Sequence, residues 1–512
     1  MLAGARFSTY RRIVSTFLSR GFTDHPVEPL AQPVNTRIEH VGHDELFPAL
    51  SLPNVRLATT FLPSDHAEER ARRTWLISTL RRMLVALAPK HTPPVPTDEE
   101  SFLSALYPDT FRAVWDGTPT LPPELRDSDD PLAVLSVRGP FASYLRVPRP
   151  DEVKSGQADA GDYVVDLTDL LDHPVYDGLV RPGGKAVFSV GADGTLNTKV
   201  VHRTDGLDQE LARRAMVAAI NEDTTTFRHN LCLHNVALTD VAIASINELG
   251  ARHPIRRVLQ HTFHTLLVGN RENSTNQLAG PLSFSVTLFS HDAEQVSAIA
   301  KKRLENFDLL DFEPDQQFAR RGTTTTPFGY PYRDNVLELW RATLDYVTEY
   351  IGLYYADDDA VRADPVLASW ADELDRLLPN PVTRPNGGLT RDWLARLCAT
   401  VIHLSTVEHD ILNNVVWDYG TFSFVVPTVV PESGVPQDQL RAFDMIATLF
   451  LTWRPFNMLL DSNVESMALD GPGRRVMSAW LDRLREIQAE MEARGHDPSL
   501  AYPANLNVSI TN

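Results

Sequence analysis

Thr226-Phe-Arg-His229-Asn-Leu-Cys-Leu-His234-Asn235 and, far downstream, Glu408-His409-Asp-Ile-Leu-Asn413 decide how this chain is read. Both lie in long runs with helical spacing, and both set nitrogen donors among apolar residues. His409 and Asn413, four apart, share one face of an α-helix. His229 and His234 are five apart, which in a regular α-helix turns them about 140° from each other. They reach one point only if the helix takes one extra residue per turn, a π-type distortion that is rare and found mostly at functional sites. Imidazoles suit iron, zinc and copper among other metals. The spacing therefore points to a mononuclear metal held between two helices. The simpler alternative is three unrelated core or surface histidines.

Outward from these helices, composition narrows the options. The 512 residues are 43% apolar and 22% charged, as in ordinary soluble proteins. A net charge of −19 argues against a phosphate-binding surface, so no nucleic-acid partner is expected. Only Cys232 and Cys398 are present, which excludes a disulfide framework and a CxxC zinc site. No uninterrupted apolar window of about 18 residues marks a membrane span. The N-terminus, Met1-Leu-Ala-Gly-Ala-Arg-Phe-Ser-Thr-Tyr-Arg-Arg-Ile-Val14, is poor in acids and lacks an apolar core with a small-residue cleavage site. It reads as a plain amphipathic helix, with a transit peptide as the less favoured alternative, and not as a secretory signal. A cytoplasmic location is expected, with export as an alternative.

Residues 1–60 carry scattered prolines and read as an irregular lead-in, with one large domain over 61–512. A helix is predicted over 64–90, from its acidic start and proline stop. Asp127-Ser-Asp-Asp130 and Asp357-Asp-Asp359 read as solvated loops. The β-rich arms of Lys185–Val201 around Asp193-Gly194 predict a hairpin. Helical spacing then covers 207–221, 226–250, 254–270, 293–306, 335–355, 389–418, 437–460 and 473–494. The longest apolar runs, 226–250 and 389–418, carry the histidines, and helices apolar on most faces belong at the centre of a protein. No HExxH, GxSxG, P-loop or Rossmann glycine pattern is present. His261 and His264 are read as structural and His253 as a turn residue. A zinc hydrolase would need a base beside the ligands; Glu408 is the near candidate, yet it does not share the face of His409.

At His229, His234, His409 and Asn413 the chain resembles the lipoxygenase catalytic domain, which places His-x4-His on one central helix and His-x3-Asn on a second. The resemblance extends to Arg138-Gly-Pro-Phe-Ala-Ser-Tyr-Leu-Arg146, to Ala192-Asp-Gly-Thr-Leu196, and to Pro327-Phe-Gly-Tyr-Pro-Tyr-Arg333-Asp334-Asn-Val-Leu-Glu-Leu-Trp340. It continues through Tyr354-Tyr355 with Asp364 to Trp370, and through the ending from Tyr502-Pro503 to Asn512. Order and spacing hold over about residues 100 to 512. A compact bacterial-type member is implied, without the N-terminal β-sandwich of animal and plant forms. The implied fold is mainly α, a large helical bundle around two long central helices with a small β-hairpin subregion.

The resemblance implies one non-heme iron, with manganese as the alternative, held by His229, His234, His409, Asn413 and the α-carboxylate of Asn512. The implied reaction removes a hydrogen atom from the carbon between two cis double bonds of a polyunsaturated fatty acid. O2 then adds to one end of the radical to give a hydroperoxide. Ser369 falls where the family has a small residue that helps set which face and end oxygen reaches. Expected partners are the fatty acid or a similar apolar chain, O2 and transient contact with a membrane surface, for a monomer. Three departures stand out: Thr224 replaces the first histidine of the family's triple, Leu238-Thr239 replaces Glu-Pro, and Asn414-Val follows Asn413 in place of Gly-Gln. They leave open an atypical enzyme of specialised metabolism acting on a non-lipid or modified substrate, or a catalytically altered metal-binding scaffold.

Overall fold

The computed structural model describes residues 2–20, 30, 40–44, 46–47, 52–53, 55–62, 67–114, 117–278, 280, 282–452, 458–495, 497 and 500–510. Two helical runs cross its centre. The first begins with α3 (Gln209–Glu222), continues without a break through a π-helix (Asp223–Leu238), and ends as α4 (Thr239–Glu248). Asp208 starts it by accepting from the backbone N–H groups of Glu210 and Leu211, both at 3.0 Å, which satisfies donors that a helix start leaves open. The second begins with α8 (Arg391–His403), capped by Thr390. It passes through π segments Leu404–Glu408 and Ile411–Val415 and ends as α9 (Val416–Gly420). Residues of both runs are buried almost throughout, and the π segments of one touch those of the other.

The remaining helices sheathe this pair. α6 (Pro331–Gly352) packs on α8 and on α11 (Gly471–Ala493), while α7 (Pro365–Leu377) packs on α4. α5 (Leu266–Gln277) lies against the first π-helix and against α2 (Ala67–Ala86). α10 (Gln439–Thr452) carries α1 (Leu2–Arg20) on its flank. One contiguous apolar core runs through all of these layers. Gly139 shows how tightly the second run is enclosed: it adopts φ +72°, and a Cβ there would lie 2.7 Å from the ring of Tyr419 in α9. A side chain at that position is excluded twice, by conformation and by space.

The mainly α bundle around two central helices agrees with the sequence reading. The predicted hairpin is present as β4 (Lys185–Val190) and β5 (Leu196–His202), closed by a loop in which Gly194 takes φ +78°. It forms part of a larger unit, since β3 (Tyr163–Asp166) pairs antiparallel with β4 to give a three-stranded sheet. A two-residue pair, β1 (Leu46–Phe47) with β2 (Leu52–Pro53), stands apart from it.

Three sequence expectations are corrected. The segments 207–221 and 226–250 are one continuous helical run, because the π-helix carries the chain through Asp223-Thr224-Thr225 without a turn. The segment 254–270 is broken: a short helix and a 3₁₀ turn end at His264, Thr265 takes a left-handed φ of 55°, and α5 starts afresh. The lead-in holds the expected N-terminal helix as α1, but beyond it the chain is paired over β1 and β2 where an irregular stretch is expected; residues 1, 21–29, 31–39, 45, 48–51 and 54 lie outside the described residues. Asp130 and Asp357 cap short helices, and Asp130 also accepts from Thr198 N–H and Oγ1–H at 2.6 and 2.7 Å.

Candidate metal centre

The π-helix is what brings the first two histidines together. Its i→i+5 hydrogen bonding stacks residues five apart, in place of the turn of about 140° that an α-helix imposes. Two side chains reinforce the winding by donating to the carbonyl five residues back: Thr239 Oγ1–H to His234 O at 2.7 Å, and Asn235 Nδ2–H to Asn230 O. His229 and His234 consequently face each other with their Nε2 atoms 3.1 Å apart. From the second run the ring of His409 lies 5.4 Å from that of His229 and 5.1 Å from that of His234, centre to centre. One nitrogen from each of the three imidazoles lies within 4.8 Å of the others, the one such cluster among the described residues.

The electrostatics suit metal donors. Burial lowers the His229 pKa well below the ordinary value, helped by neighbouring His234. It brings His234 to about 4 against the opposing hydrogen bond of Asn270. His409 is likewise lowered well below the ordinary value by burial and then by the two other histidines. All three are neutral near pH 7, the form in which imidazole offers a lone pair.

Asn270 of α5 supplies the orientation. Its Nδ2 donates to His234 O at 2.7 Å and to Thr239 Oγ1 at 2.8 Å, which turns its Oδ1 toward His234 Nδ1 at 2.9 Å. A proton held on Nδ1 leaves Nε2 bare and aimed at the cluster. Asn413 is buried one turn beyond His409, and its Nδ2 donates to Thr452 O at 2.6 Å. That bond anchors the amide through its nitrogen.

Beside the cluster, the two runs are joined by an ion pair. Arg228 donates from Nε and Nη2 to Glu408 Oε1 at 2.9 and 2.6 Å, and Tyr332 donates to Glu408 Oε2 at 3.2 Å. Burial raises the Glu408 pKa, but Arg228, then His403, outweigh it and hold the carboxyl below its ordinary range. A carboxylate locked in this way is a structural tie and not a free base, so the zinc-hydrolase alternative loses its base. Thr224, which replaces the first histidine of the triple, bonds the Tyr144 hydroxyl at 3.0 Å. Asn414, in place of the glycine, donates to Asp410 Oδ1.

Ser369 does not join the site. It is exposed on α7, whose inward face is Leu367, Trp370, Ala371 and Leu374. The helical period that buries those residues turns position 369 to water, so an interior role in guiding oxygen is not what its placement offers. Asn512 lies outside the described residues; the tail before it is buried from Leu506 to Ile510, and Ser509 Oγ–H donates to His264 O at 2.7 Å. His261 is buried in the 3₁₀ turn and His253 caps a short helix. Sequence reasoning missed Asn270, Arg228 and Tyr332. No local signal marks them: Asn270 opens the polar run Arg271-Glu272-Asn273, and Tyr332 precedes Arg333-Asp334.

Comparison with known proteins bears on this arrangement. Residues 195–449 match the family model described as Lipoxygenase. A hydroperoxide isomerase of Homo sapiens is 24% identical over 309 residues, covering 55% of this chain and 42% of that protein. The seed linoleate 9S-lipoxygenase of Glycine max is 24% identical over 424 residues, 72% of this chain and 46% of that one. The chain thus spans less than half the length of these curated relatives. The crystal structure of coral 8R-lipoxygenase superposes with a TM-score of 0.73 at 16% identity, over 98% of this chain and 81% of that one. A lipoxygenase solved in complex with arachidonate gives 0.69 at 17% identity, over 99% and 82%. With the histidine pair and the sheet strand β5 inside the matched residues, and the whole bundle superposing, the chain belongs to the lipoxygenase family.

Proposed function

We propose that this chain is a non-heme metal dioxygenase that adds O2 to the 1,4-pentadiene unit of a polyunsaturated fatty acid, giving a hydroperoxide. The observation that carries the reading is the convergence of three buried, neutral imidazoles from two π-distorted helices within 4.8 Å. In the proposal His229, His234 and His409 hold one iron, or manganese, with Asn413 and the α-carboxylate of Asn512 completing the set. Such a metal supplies the one-electron redox chemistry that removal of a hydrogen atom from a doubly allylic carbon requires. The chain's own residues do the rest. Asn270 fixes the tautomer of His234, the Arg228–Glu408 pair holds the two runs in register, and the apolar core packed around the cluster excludes water. Residues 61–512 form the catalytic domain in this reading, and residues 1–60 lead into it.

A second reading has its own support, because relatives from Homo sapiens, Rattus norvegicus and Mus musculus are named hydroperoxide isomerases. Rearrangement of a preformed hydroperoxide would use the same donors without net O2 uptake. Incubating metal-loaded protein with linoleate or arachidonate separates the two. The dioxygenase predicts O2 consumption matched by conjugated-diene absorbance. Loss of added hydroperoxide with no O2 uptake favours the isomerase, and silence in both assays sinks both readings. His229→Ala, His234→Ala and His409→Ala are each expected to lose bound metal, measured by elemental analysis; full metal content in any one removes that residue from the set. Extending the chain beyond Asn512 is expected to lower metal retention, and a C-terminally tagged protein that holds its metal as well as the untagged one counts against the carboxylate.

A further inference from the structure

Six of the eleven large apolar side chains that stand exposed among the described residues lie on two touching helices, α1 and α2. These are Ile13 and Phe17 on α1, and Trp75, Leu76, Met83 and Leu87 on or just beyond α2, with Trp75 60% and Leu87 76% exposed. Both helices are held to the body by other faces. α1 buries Phe7, Tyr10, Val14 and Leu18, with the Phe7 ring edge-on to Phe443 of α10 at 6.1 Å. α2 is pinned through Arg81, which donates to Leu282 O at 2.6 Å and Thr287 Oγ1 at 3.0 Å and stacks over Phe284. The apolar outer stripes are therefore not the faces that packing uses.

Charge distinguishes this surface from the rest of the molecule. The chain carries a net −19, yet α1 contains four arginines and no acidic residue, and the exposed charged side chains described on α1 and α2 are all arginines. Arg6 and Arg12 are exposed on α1 beside Ile13, and Arg82 is exposed on α2 beside Met83. Large apolar side chains interleaved with arginine on an anchored helix are the pattern that inserts shallowly at a lipid interface. An anionic surface adds attraction of about fivefold per arginine.

We propose that the outward faces of α1 and α2 form a docking surface for an anionic lipid bilayer. A second copy of the chain fits less well, because a two-fold contact through this face sets its arginines against each other. The placement also bears on the fatty-acid reading, on which its metabolic sense rests. α2 packs on α5, and α5 carries the Asn270 that orients His234. The docked face thus lies one helix away from the imidazole cluster, on the side from which a bilayer could deliver an acyl chain.

The test is co-sedimentation of the full chain with phosphatidylcholine vesicles, with and without about 30 mol % phosphatidylserine. Binding to the anionic vesicles is expected, weaker by about a hundredfold on the neutral ones and much reduced in about 0.5 M salt. Phe17→Glu combined with Leu87→Glu should lower binding by about tenfold or more, and separately Arg6→Glu combined with Arg12→Glu by about 25-fold or more. Circular dichroism and O2 consumption with dispersed fatty acid should stay unchanged. Absence of binding to either vesicle, or equal binding by folded variants, overturns the proposal. So does a lipid-free dimer in sedimentation velocity that Phe17→Glu with Leu87→Glu splits, since that places a second copy on the face. Binding is read without turnover, so an inactive protein that still sediments with vesicles would defeat the dioxygenase reading and leave the docking surface standing.

Discussion

Arg228 and Glu408 each stand one position before an imidazole of the cluster, so the bond between them sets the spacing of His229 and His409 more directly than any apolar contact. The side chains are 13% and 4% exposed. Removing one partner from such a pair leaves an uncompensated buried charge, at a cost of about 3–5 kcal/mol, whereas replacing both by apolar residues is often close to neutral. Glu408→Gln is therefore expected to destabilise the protein by about 3 kcal/mol in denaturant unfolding, and Arg228→Met with Glu408→Leu to recover most of the loss. If the double variant is no better than the single, the pair does more than balance charge. Asn270→Ala should leave the fold intact and weaken metal affinity by about 10–100-fold, as loss of a tautomer-fixing partner does; unchanged affinity by metal titration would reject that role. The histidines were legible in the sequence because a five-residue spacing makes a definite demand on the backbone. The ion pair was not, since its partners are 180 positions apart, and each alone looks like any solvated charge. Ser369 shows the opposite failure. Resemblance places it at the site, while the period of α7 turns it to water.

At the scale of elements, legibility followed the strength of local chemistry. Asp193-Gly194 announced the β4–β5 hairpin, but β3 has only four residues and its pairing is long-range, so the third strand left no local mark. The break at Thr265 was equally silent. Neither Gly nor Pro stands there, and a left-handed threonine costs of order 1–3 kcal/mol that only surrounding structure can offset. What that turn achieves is the direction of α5, which brings Asn270 to His234. The sheet is fastened by Glu152, which accepts from Arg146 at 2.6 and 2.7 Å and pairs with Lys185 of β4 at 2.8 Å. The Arg146 hydrogen bonds lead, burial opposes them, and Lys185 and the Arg149 N–H add to them, holding the Glu152 pKa far below the ordinary range. A depressed carboxyl stabilises the fold above its unfolded pKa, near 4.3, and loses that contribution as pH falls toward the folded value. Glu152→Gln should thus cost about 3 kcal/mol near neutral pH and flatten the acid side of the stability profile. Parallel curves for the two proteins below about pH 4 and above it would show that the carboxylate contributes nothing to acid sensitivity.

Across the whole molecule, the three imidazoles come from two helical runs, with His234 and His409 175 positions apart, and the tail buried as far as Ile510 closes on the same core. Two neutral imidazoles facing each other at 3.1 Å can share one hydrogen bond, whereas a cation between them takes a lone pair from each. A metal bound only by the folded arrangement stabilises it by mass action, by about 2.7 kcal/mol at a free concentration one hundred times the dissociation constant. In a chain of 512 residues the entropy of unfolding is large, and each kcal/mol moves the melting temperature by less than the 2–4 °C seen for domains of about 150–250 residues. Chelation should therefore lower Tm by a few degrees, and iron or manganese should restore it, whereas His234→Ala should melt at one temperature with or without metal. Calcium or magnesium, which prefer oxygen donors, should not substitute. The arrangement of donors makes the sign of the shift the deciding quantity: a wild-type Tm indifferent to chelator and metal alike would mean that the buried imidazoles pack as ordinary core side chains, however close their nitrogens lie.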